Sequence, residues 1–90
     1  MKVVAIDENG NSISVNQFFN TFEEFSLNKS LREQTSRLLK VMMRHPDPHD
    51  ILYIAERSGQ GYSFSVTGNE RTYSISFEIK GDSLILITIR

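Results

Sequence analysis

The chain has 90 residues and a formal net charge of −1 at pH 7, with 10 basic and 11 acidic side chains. This length holds one hydrophobic core and predicts a single domain over residues 1–90, and the balanced charge argues against a strongly basic nucleic-acid-binding domain. The absence of cysteine excludes disulfides, thiolate metal sites and thiol catalysis.

Segments that would direct the chain to a membrane are missing from this sequence. The N-terminal apolar run covers residues 3–6 and is too short for a signal peptide. No other run approaches the roughly 18 apolar residues of a membrane-spanning helix. We therefore expect a cytoplasmic protein with no membrane partner.

The N-terminal residues predict a strand or a β-hairpin. Residues 3–6 are apolar, as in a short strand, and Asn9-Gly10 follows in a polar segment. Asn-Gly is the preferred pair for a tight hairpin turn, because both central positions of that turn need φ > 0. Residues 12–15 then either return as a second strand or lead directly into a helix.

Two amphipathic helices are expected next. Ser14 and Gln17 have the spacing of a capping box, and the helix that follows carries an inner face of Val15, Phe18, Phe19, Phe22 and Phe25. Ser30 and Glu33 predict a second capping box, for a helix that runs to about Arg44 and ends before Pro46. Its apolar side consists of Leu31, Thr35, Leu38, Leu39 and Met42. The two helices predict a helical hairpin.

The second half of the chain predicts a four-stranded antiparallel meander. Residues 51–57, 62–67 and 72–79 read as strands, with turns at 58–61, 68–69 and 81–82. Residues 83–90 are apolar on both parities, which is typical of a strand near the middle of a sheet that is covered on both faces. The fold class expected is therefore α+β: an N-terminal strand or hairpin, a helical hairpin and a meander.

One face of the meander is rich in serine and threonine. Ser63, Ser65 and Thr67 alternate with apolar residues in one strand, and Thr72, Ser74 and Ser76 do so in the next. An antiparallel sheet can leave such a face in water. The alternative is a contact surface for a partner, and composition alone does not decide between the two.

Basic side chains form the first group of candidate binding residues. One set lies on the second helix, away from its apolar side, and would bind phosphates through charge or contact an acidic partner; it consists of Lys29, Arg32, Arg37, Lys40 and Arg44. A solvated helix face is the alternative. A second set lies at strand ends and could converge on one edge of the sheet, although strand-end charges also simply discourage edge pairing; it consists of Arg57, Arg71, Lys80 and Arg90.

His45 and His49 are the candidate proton-transfer groups, with Asp47 and Asp50 beside them. An i, i+4 histidine pair aligns metal ligands only on a helix. The prolines at 46 and 48 oppose a regular helix here, so we expect neither a metal site nor a cofactor. Either histidine can still move a proton near pH 7.

The order of helix, helix and meander resembles the RelE/ParE toxin group within the barnase–EndoU–colicin–RelE ribonuclease class. The local similarity lies in residues 61–79, where a strand, a glycine-containing turn, Arg71 and an aromatic-alternating strand lead into the final apolar strand. The resemblance implies that Arg71 takes the place of the family's sheet arginine and neutralises charge on the scissile phosphate. It also implies that Arg57 and Lys80 hold the RNA backbone, while His45 or His49 activates the ribose 2′-OH.

Two functional hypotheses follow from the sequence. The first is a RelE-like toxin: an endoribonuclease acting on RNA in the ribosome through Arg71, Arg57 and His49, and neutralised by a cognate protein encoded nearby. It predicts that Arg71→Ala relieves growth arrest. The alternative is a non-catalytic immunity or antitoxin protein that blocks an effector through its sheet or basic helix. RNA-cleaving members of the group usually carry Tyr or His beyond the last strand and tend to be basic, whereas this chain has Arg90 there and is slightly acidic.

Overall fold

The computed structural model describes Met1–Arg90 and shows an α+β fold with a six-stranded mixed sheet. The strands are β1 (Lys2–Ile6), β2 (Ser12–Ile13), β3 (Glu56–Ser58), β4 (Gly61–Gly68), β5 (Arg71–Lys80) and β6 (Ser83–Ile89). The helices are α1 (Val15–Asn20), α2 (Glu23–Leu27) and α3 (Lys29–Arg44), and a 3₁₀ helix covers Pro48–Ile54.

The strand order in the sheet is β2-β1-β6-β5-β4-β3. Strand β1 runs parallel to β6, and every other neighbouring pair is antiparallel. The structure therefore confirms both the N-terminal hairpin and the four-stranded antiparallel meander. The parallel contact between β1 and β6 joins these two parts into one sheet, with β6 near its middle.

Two-residue hairpin turns form near the three places predicted in the meander, at residues 59–60, 69–70 and 81–82, but not at Asn9-Gly10, where five residues connect β1 and β2. Asn69 and Glu70 both have positive φ, at 53° and 61°, between the paired residues Gly68 and Arg71. At the N-terminal turn Gly10 alone has positive φ, and the Asp7 carboxylate instead accepts hydrogen bonds from two backbone N–H groups that follow it. The side-chain hydrogen bonds of Asp7 replace the backbone geometry expected of Asn-Gly.

The first predicted helix is two short helices. The capping box of Ser14 and Gln17 is present, as predicted. Helix α1 ends at Asn20, however, and Phe22 is extended with φ −105° and ψ 111° before α2 begins at Glu23. With the backbone extended at Phe22, the side chains of Phe18, Phe19 and Phe25 all reach the core.

The N-cap of helix α3 lies two residues earlier than the sequence indicated. The side chain of Asn28, not of Ser30, accepts a hydrogen bond from the backbone N–H of Leu31. Ser30 lies inside the helix, where its hydroxyl contacts Gln34. The end of the helix at Arg44, before Pro46, is as predicted.

The predicted strand over residues 51–57 is wrong for most of its length. Pro48 occupies the first position of a 3₁₀ helix, where its missing N–H costs nothing. Asp47 caps this helix by accepting from the N–H of His49. Only Glu56–Ser58 remains as a strand.

The core lies between the helices and one face of the sheet. Tyr73 packs edge-on against Phe25 with ring centroids 5.2 Å apart, and Phe64 stacks on Phe77 at 4.3 Å. Gly68 sits under α3, because a Cβ there would fall 2.6 Å from Cγ of Leu31. In β6, Leu84 and Leu86 are fully buried against the core.

The other face of the sheet, here called the open face, carries no helix. The expectation that β6 is covered on both faces is therefore wrong. Its alternate residues Ile85 and Ile87 are half-buried and do not pack against the core. A β-bulge at Ile87, opposite Ser76 and Phe77, keeps Ile89 in the core beyond it.

Candidate functional site

The sheet holds Arg57 and Arg71 at opposite ends of the β4–β5 hairpin. Arg57 pairs with Tyr62, and Arg71 pairs with Gly68. Six residues of extended strand separate these two partners along β4, which corresponds to about 20 Å. The two arginines therefore do not form one catalytic centre in this structure.

Arg71 has a structural contact of its own. Its guanidinium carbon lies 4.7 Å from the ring centroid of Tyr73, and Tyr73 is buried among Phe22 and Phe25. The cation–π contact places Arg71 on the helix side of the sheet, over the end of the aromatic cluster. The contact with Tyr73 accounts for an arginine at this position without a role in binding a substrate.

His49 is oriented by Asp47. Its Nδ1 lies 2.9 Å from Oδ1 of Asp47, which also accepts the backbone N–H of His49. The backbone hydrogen bond, followed by that of the ring, holds the pKa of Asp47 below its ordinary value of 3.8. An ionised Asp47 favours a proton on Nδ1, which leaves Nε2 as the free nitrogen of the ring.

The His49 ring borders a shallow depression at the end of β4 and β5. The depression has a volume of about 300 Å³ and is also lined by Gln60, Tyr62 and Glu78. Arg57 lies on the neighbouring strand, paired with Tyr62, whereas His45 is half-buried at the end of α3 and does not line it. The structure thus brings together His49 and Glu78, two groups that can accept or donate a proton.

Glu78 was not among the residues predicted for a site. The alternation of β5 places it on the open face, in line with Ser74 and Ser76. A lone acid in a row of small polar residues was the signal in the sequence. The sequence could not show that His49 lies beside Glu78, because their proximity depends on how the 3₁₀ helix folds back.

The basic residues of α3 form one exposed face, apart from Arg32. At about 100° per residue, Lys29, Arg37, Lys40 and Arg44 lie within one arc opposite Leu31 and Met42. Glu33 lies within that arc, 3.9 Å from the charged nitrogens of Lys29 and Arg37. Arg32 lies on the flank of the helix and donates to the backbone oxygen of Ser26.

The strand-end cations do not converge on one edge. Lys80 pairs with Ser83 near the end that holds Arg57, whereas Arg90 exchanges backbone hydrogen bonds with Ser74 towards the end that holds Arg71. Lys2 also pairs with Ser83, from the opposite side. Lys2 and Lys80 therefore flank the start of β6 on the open face.

Four aliphatic side chains form a continuous patch on the open face, across β1 and β6. Val4 and Ile85 are cross-strand partners, and Ile6 and Ile87 follow two residues further along each strand. All four are half-buried, and none packs against the core. We call this set, Val4, Ile6, Ile85 and Ile87, the aliphatic patch.

No group of three or more histidine, aspartate or glutamate side chains is arranged to hold a metal ion. None of the helices combines the length and apolar character that crossing a membrane requires. Comparison of the chain with protein-family models, curated proteins and solved structures gives no match.

Proposed function

We propose that this chain is a non-catalytic binding protein of the immunity or antitoxin type, which neutralises a partner protein docked on its open face. The aliphatic patch is the observation that carries this proposal. Large contiguous apolar patches on a protein surface mark sites of association, and the buried centres of protein interfaces are apolar with a polar rim.

The patch differs from the rest of the open face. Strands β4 and β5 present serine and threonine there, as expected of a sheet face in water. Strands β1 and β6 present valine and isoleucine at the equivalent positions. The serine and threonine side chains would form the polar rim of an interface centred on the aliphatic patch.

Charge indicates what kind of partner fits. Lys2 and Lys80 flank one end of the patch through their shared neighbour Ser83, and Arg90 lies towards the other end. Glu78 leans away from the patch, since its Cγ lies 3.6 Å from the place where a Cβ on Gly61 would be. At the end of the patch where Ile6 and Ile87 lie, Asp7 and Glu8 line the surface as well. The partner expected is therefore a protein with an apolar centre and with acidic groups at the end that faces Lys2 and Lys80.

The experiment measures binding to the products of the two adjacent genes by calorimetry. We expect a 1:1 complex with one of them, and a loss of at least 100-fold in affinity for Ile85→Glu, because the substitution places a charge at the centre of the patch. Met43→Glu, which places the same charge at an exposed apolar residue of α3, is the matched control and should bind nearly as well as the wild type. Circular dichroism checks that both variants fold.

Three results would contradict the proposal. The first is that neither adjacent gene product binds the chain. The second is that Ile85→Glu binds as tightly as the wild type. The third is that light scattering finds the free chain to be a dimer that Ile85→Glu dissociates, which would mean that a second copy occupies the patch. Growth arrest on expression of the chain alone would instead favour the second candidate function.

That second candidate is a RelE-like endoribonuclease, and the depression beside His49 favours it. His49 and Glu78 line the same depression, so one can activate a ribose 2′-OH while the other protonates the leaving oxygen. Arg57, paired with Tyr62 at this depression, supplies a cation for the phosphate. Arg71 lies too far away to take part.

RNA cleavage by the purified chain tests this candidate. It predicts that His49→Gln and Glu78→Gln each lower the cleavage rate at least 100-fold, while Arg71→Ala leaves it nearly unchanged. This reverses the expectation that the resemblance gave for Arg71. Absence of cleavage by the wild type, or a loss confined to Arg71→Ala, would exclude the His49 centre.

A further inference from the structure

A groove between α1, α2 and α3 lies on the helix side of the molecule, away from the aliphatic patch. Its volume is about 340 Å³. Phe19, Phe25 and Leu39 form its apolar lining, and its other lining residues are polar or basic. A concave site with an apolar base and a few polar groups is the usual form of a small-molecule site.

The charge of the groove is positive and uncompensated. Arg32 is its one charged lining residue, and no aspartate or glutamate lines it. Arg32 forms no ion pair in the structure, and its one hydrogen bond reaches the backbone oxygen of Ser26. An anion is the ligand class that this arrangement favours.

Thr35 supplies an independent observation. It lines the groove and is 8% exposed, and its Oγ1 is buried without any hydrogen-bond partner. It is the one buried side-chain polar atom of the chain in this state, and such orphan atoms are rare and unfavourable. A helical threonine usually donates its hydroxyl to the backbone carbonyl three or four residues earlier, and Thr35 forms no such bond, so the hydroxyl is free to bond a ligand.

Three further polar side chains around the groove are also unengaged. Asn16 and Asn20 lie one turn apart on α1, and Ser36 lies next to Thr35 on α3. None of them forms a side-chain hydrogen bond within the protein. Together with Arg32 they give donors on two sides of the groove, above aromatic rings.

We propose that this groove binds a small organic carboxylate with an apolar body. The carboxylate accepts hydrogen bonds from Arg32 and from the amides of Asn16 and Asn20, and it also satisfies the hydroxyl of Thr35. The apolar body lies on Phe19 and Phe25. This site goes beyond the proposed function, because it does not share a residue with the open face.

Titration of the ¹⁵N-labelled chain with phenylacetate, followed by NMR, tests the site. We expect shifts confined to the backbone amides of the groove, with a dissociation constant in the millimolar range. Phenylacetamide, which has the same shape without the charge, should bind at least 10-fold more weakly. The affinity of Arg32→Gln for phenylacetate should be at least 10-fold lower than that of the wild type. The matched variant Arg37→Gln, on the outer face of the same helix, should bind phenylacetate as the wild type does.

A second variant separates binding from folding. Thr35→Val replaces the orphan hydroxyl with a methyl group of the same size, so we expect a higher midpoint of thermal unfolding together with weaker phenylacetate binding. No shifts at Asn16, Thr35 or Ser36 with phenylacetate, equal binding of the neutral amide, or unchanged binding by Arg32→Gln or Thr35→Val would each overturn the proposal.

Discussion

Glu70 occupies a backbone conformation that suits glycine. Its φ of 61° lies in the left-handed region, which costs a residue with a side chain roughly 1–2 kcal/mol. Asn69 before it, with φ 53°, tolerates this region better because its side chain can bond locally. The turn therefore has the geometry of an Asn-Gly turn with glutamate in the glycine position.

Glu70→Gly should stabilise the chain by about 0.5–1 kcal/mol, because relief of strain exceeds the larger unfolded-state entropy of glycine. Urea denaturation, with the slope compared between variants, measures the change in the free energy of unfolding. Glu70→Ala is the control, since it removes the charge but keeps the strain. An equal gain from alanine would show that the charge, rather than the backbone, is responsible.

Asp47 sets a pH dependence at the acid end of the stability curve. Its hydrogen bonds from His49 hold its folded-state pKa below 3.8, so the folded chain keeps the carboxylate ionised where the unfolded chain binds a proton. This contribution is present above about pH 3.8 and is lost as the pH falls through the lower folded pKa.

Carbon-detected NMR titration of the Asp47 carboxyl measures this directly, and we expect a midpoint below 3.8. His49→Ala removes the ring but keeps the backbone N–H of residue 49, which is the larger cause of the lowered pKa. The midpoint should therefore rise only part of the way. A wild-type midpoint at the ordinary value would mean that the cap of the 3₁₀ helix is not formed.

At the scale of elements, the start of α3 gives the clearest test. Asn28 caps the helix through its side chain, so Asn28→Ala should cost about 1 kcal/mol of unfolding free energy. Ser30→Ala should leave the free energy of unfolding nearly unchanged or raise it slightly. Ser30 is a solvent-exposed residue of the first helical turn, and alanine has the higher helix propensity. The reverse order, measured by urea denaturation, would place the cap at Ser30, as the sequence pattern suggested.

The two capping-box motifs show that a local sequence pattern predicts a helix start only in some cases. Ser14-x-x-Gln17 forms the predicted box, whereas Ser30-x-x-Glu33 has the same form and does not. Asn28 lies two residues before Ser30 and is as good a cap. Two equally good caps compete here, and the structure uses the earlier one, so the helix has two more residues at its start.

Apolar periodicity predicted which residues enter the core better than which elements they form. Phe18, Phe19 and Phe25 are buried as their spacing indicated, yet the backbone breaks at Phe22. The apolar character of residues 51–54 predicts a strand, but a 3₁₀ helix that begins at Pro48 covers them. A short apolar run is compatible with a strand or a helix, and contacts with neighbouring residues determine which one forms.

The candidate sites were only partly accessible to sequence reasoning. His49 was selected for its chemistry, but its neighbour Glu78 comes from a different element. The apolar residues of β6 predict a strand covered on both faces, whereas the structure leaves Ile85 and Ile87 on the open face. Composition shows that a side chain is apolar; it does not show whether the chain itself or a partner covers it.

At the scale of the whole molecule, the three surfaces with binding potential are spatially distinct. The aliphatic patch lies on the open face of the sheet, the groove beside Arg32 lies among the helices, and the basic residues of α3 point outward from the helix layer. Substitutions in the aliphatic patch should therefore leave the groove and the basic residues of α3 unaffected, and the reverse should also hold, since distant sites without shared partners are close to additive.

The separation of Arg57 from Arg71 decides whether both belong to one catalytic centre, and it can be measured directly. The sequence has no cysteine, so spin labels attach only to introduced cysteines. In the pair Arg57→Cys and Arg71→Cys, the register predicts labels about 20 Å apart along the sheet. The control pair, Glu56→Cys and Glu78→Cys, lies on one face of the sheet, and its two positions are separated by only about 7 Å along the strands.

We expect dipolar broadening of the electron paramagnetic resonance spectrum to be strong for the control pair and weak for the test pair. Broadening of the test pair equal to the control would mean that the β4–β5 hairpin brings the two arginines together in solution, which would restore a shared phosphate site. Weak broadening leaves Arg71 to its contact with Tyr73, and any RNA cleavage would then depend on the opposite end of the hairpin, where His49, Glu78 and Arg57 lie.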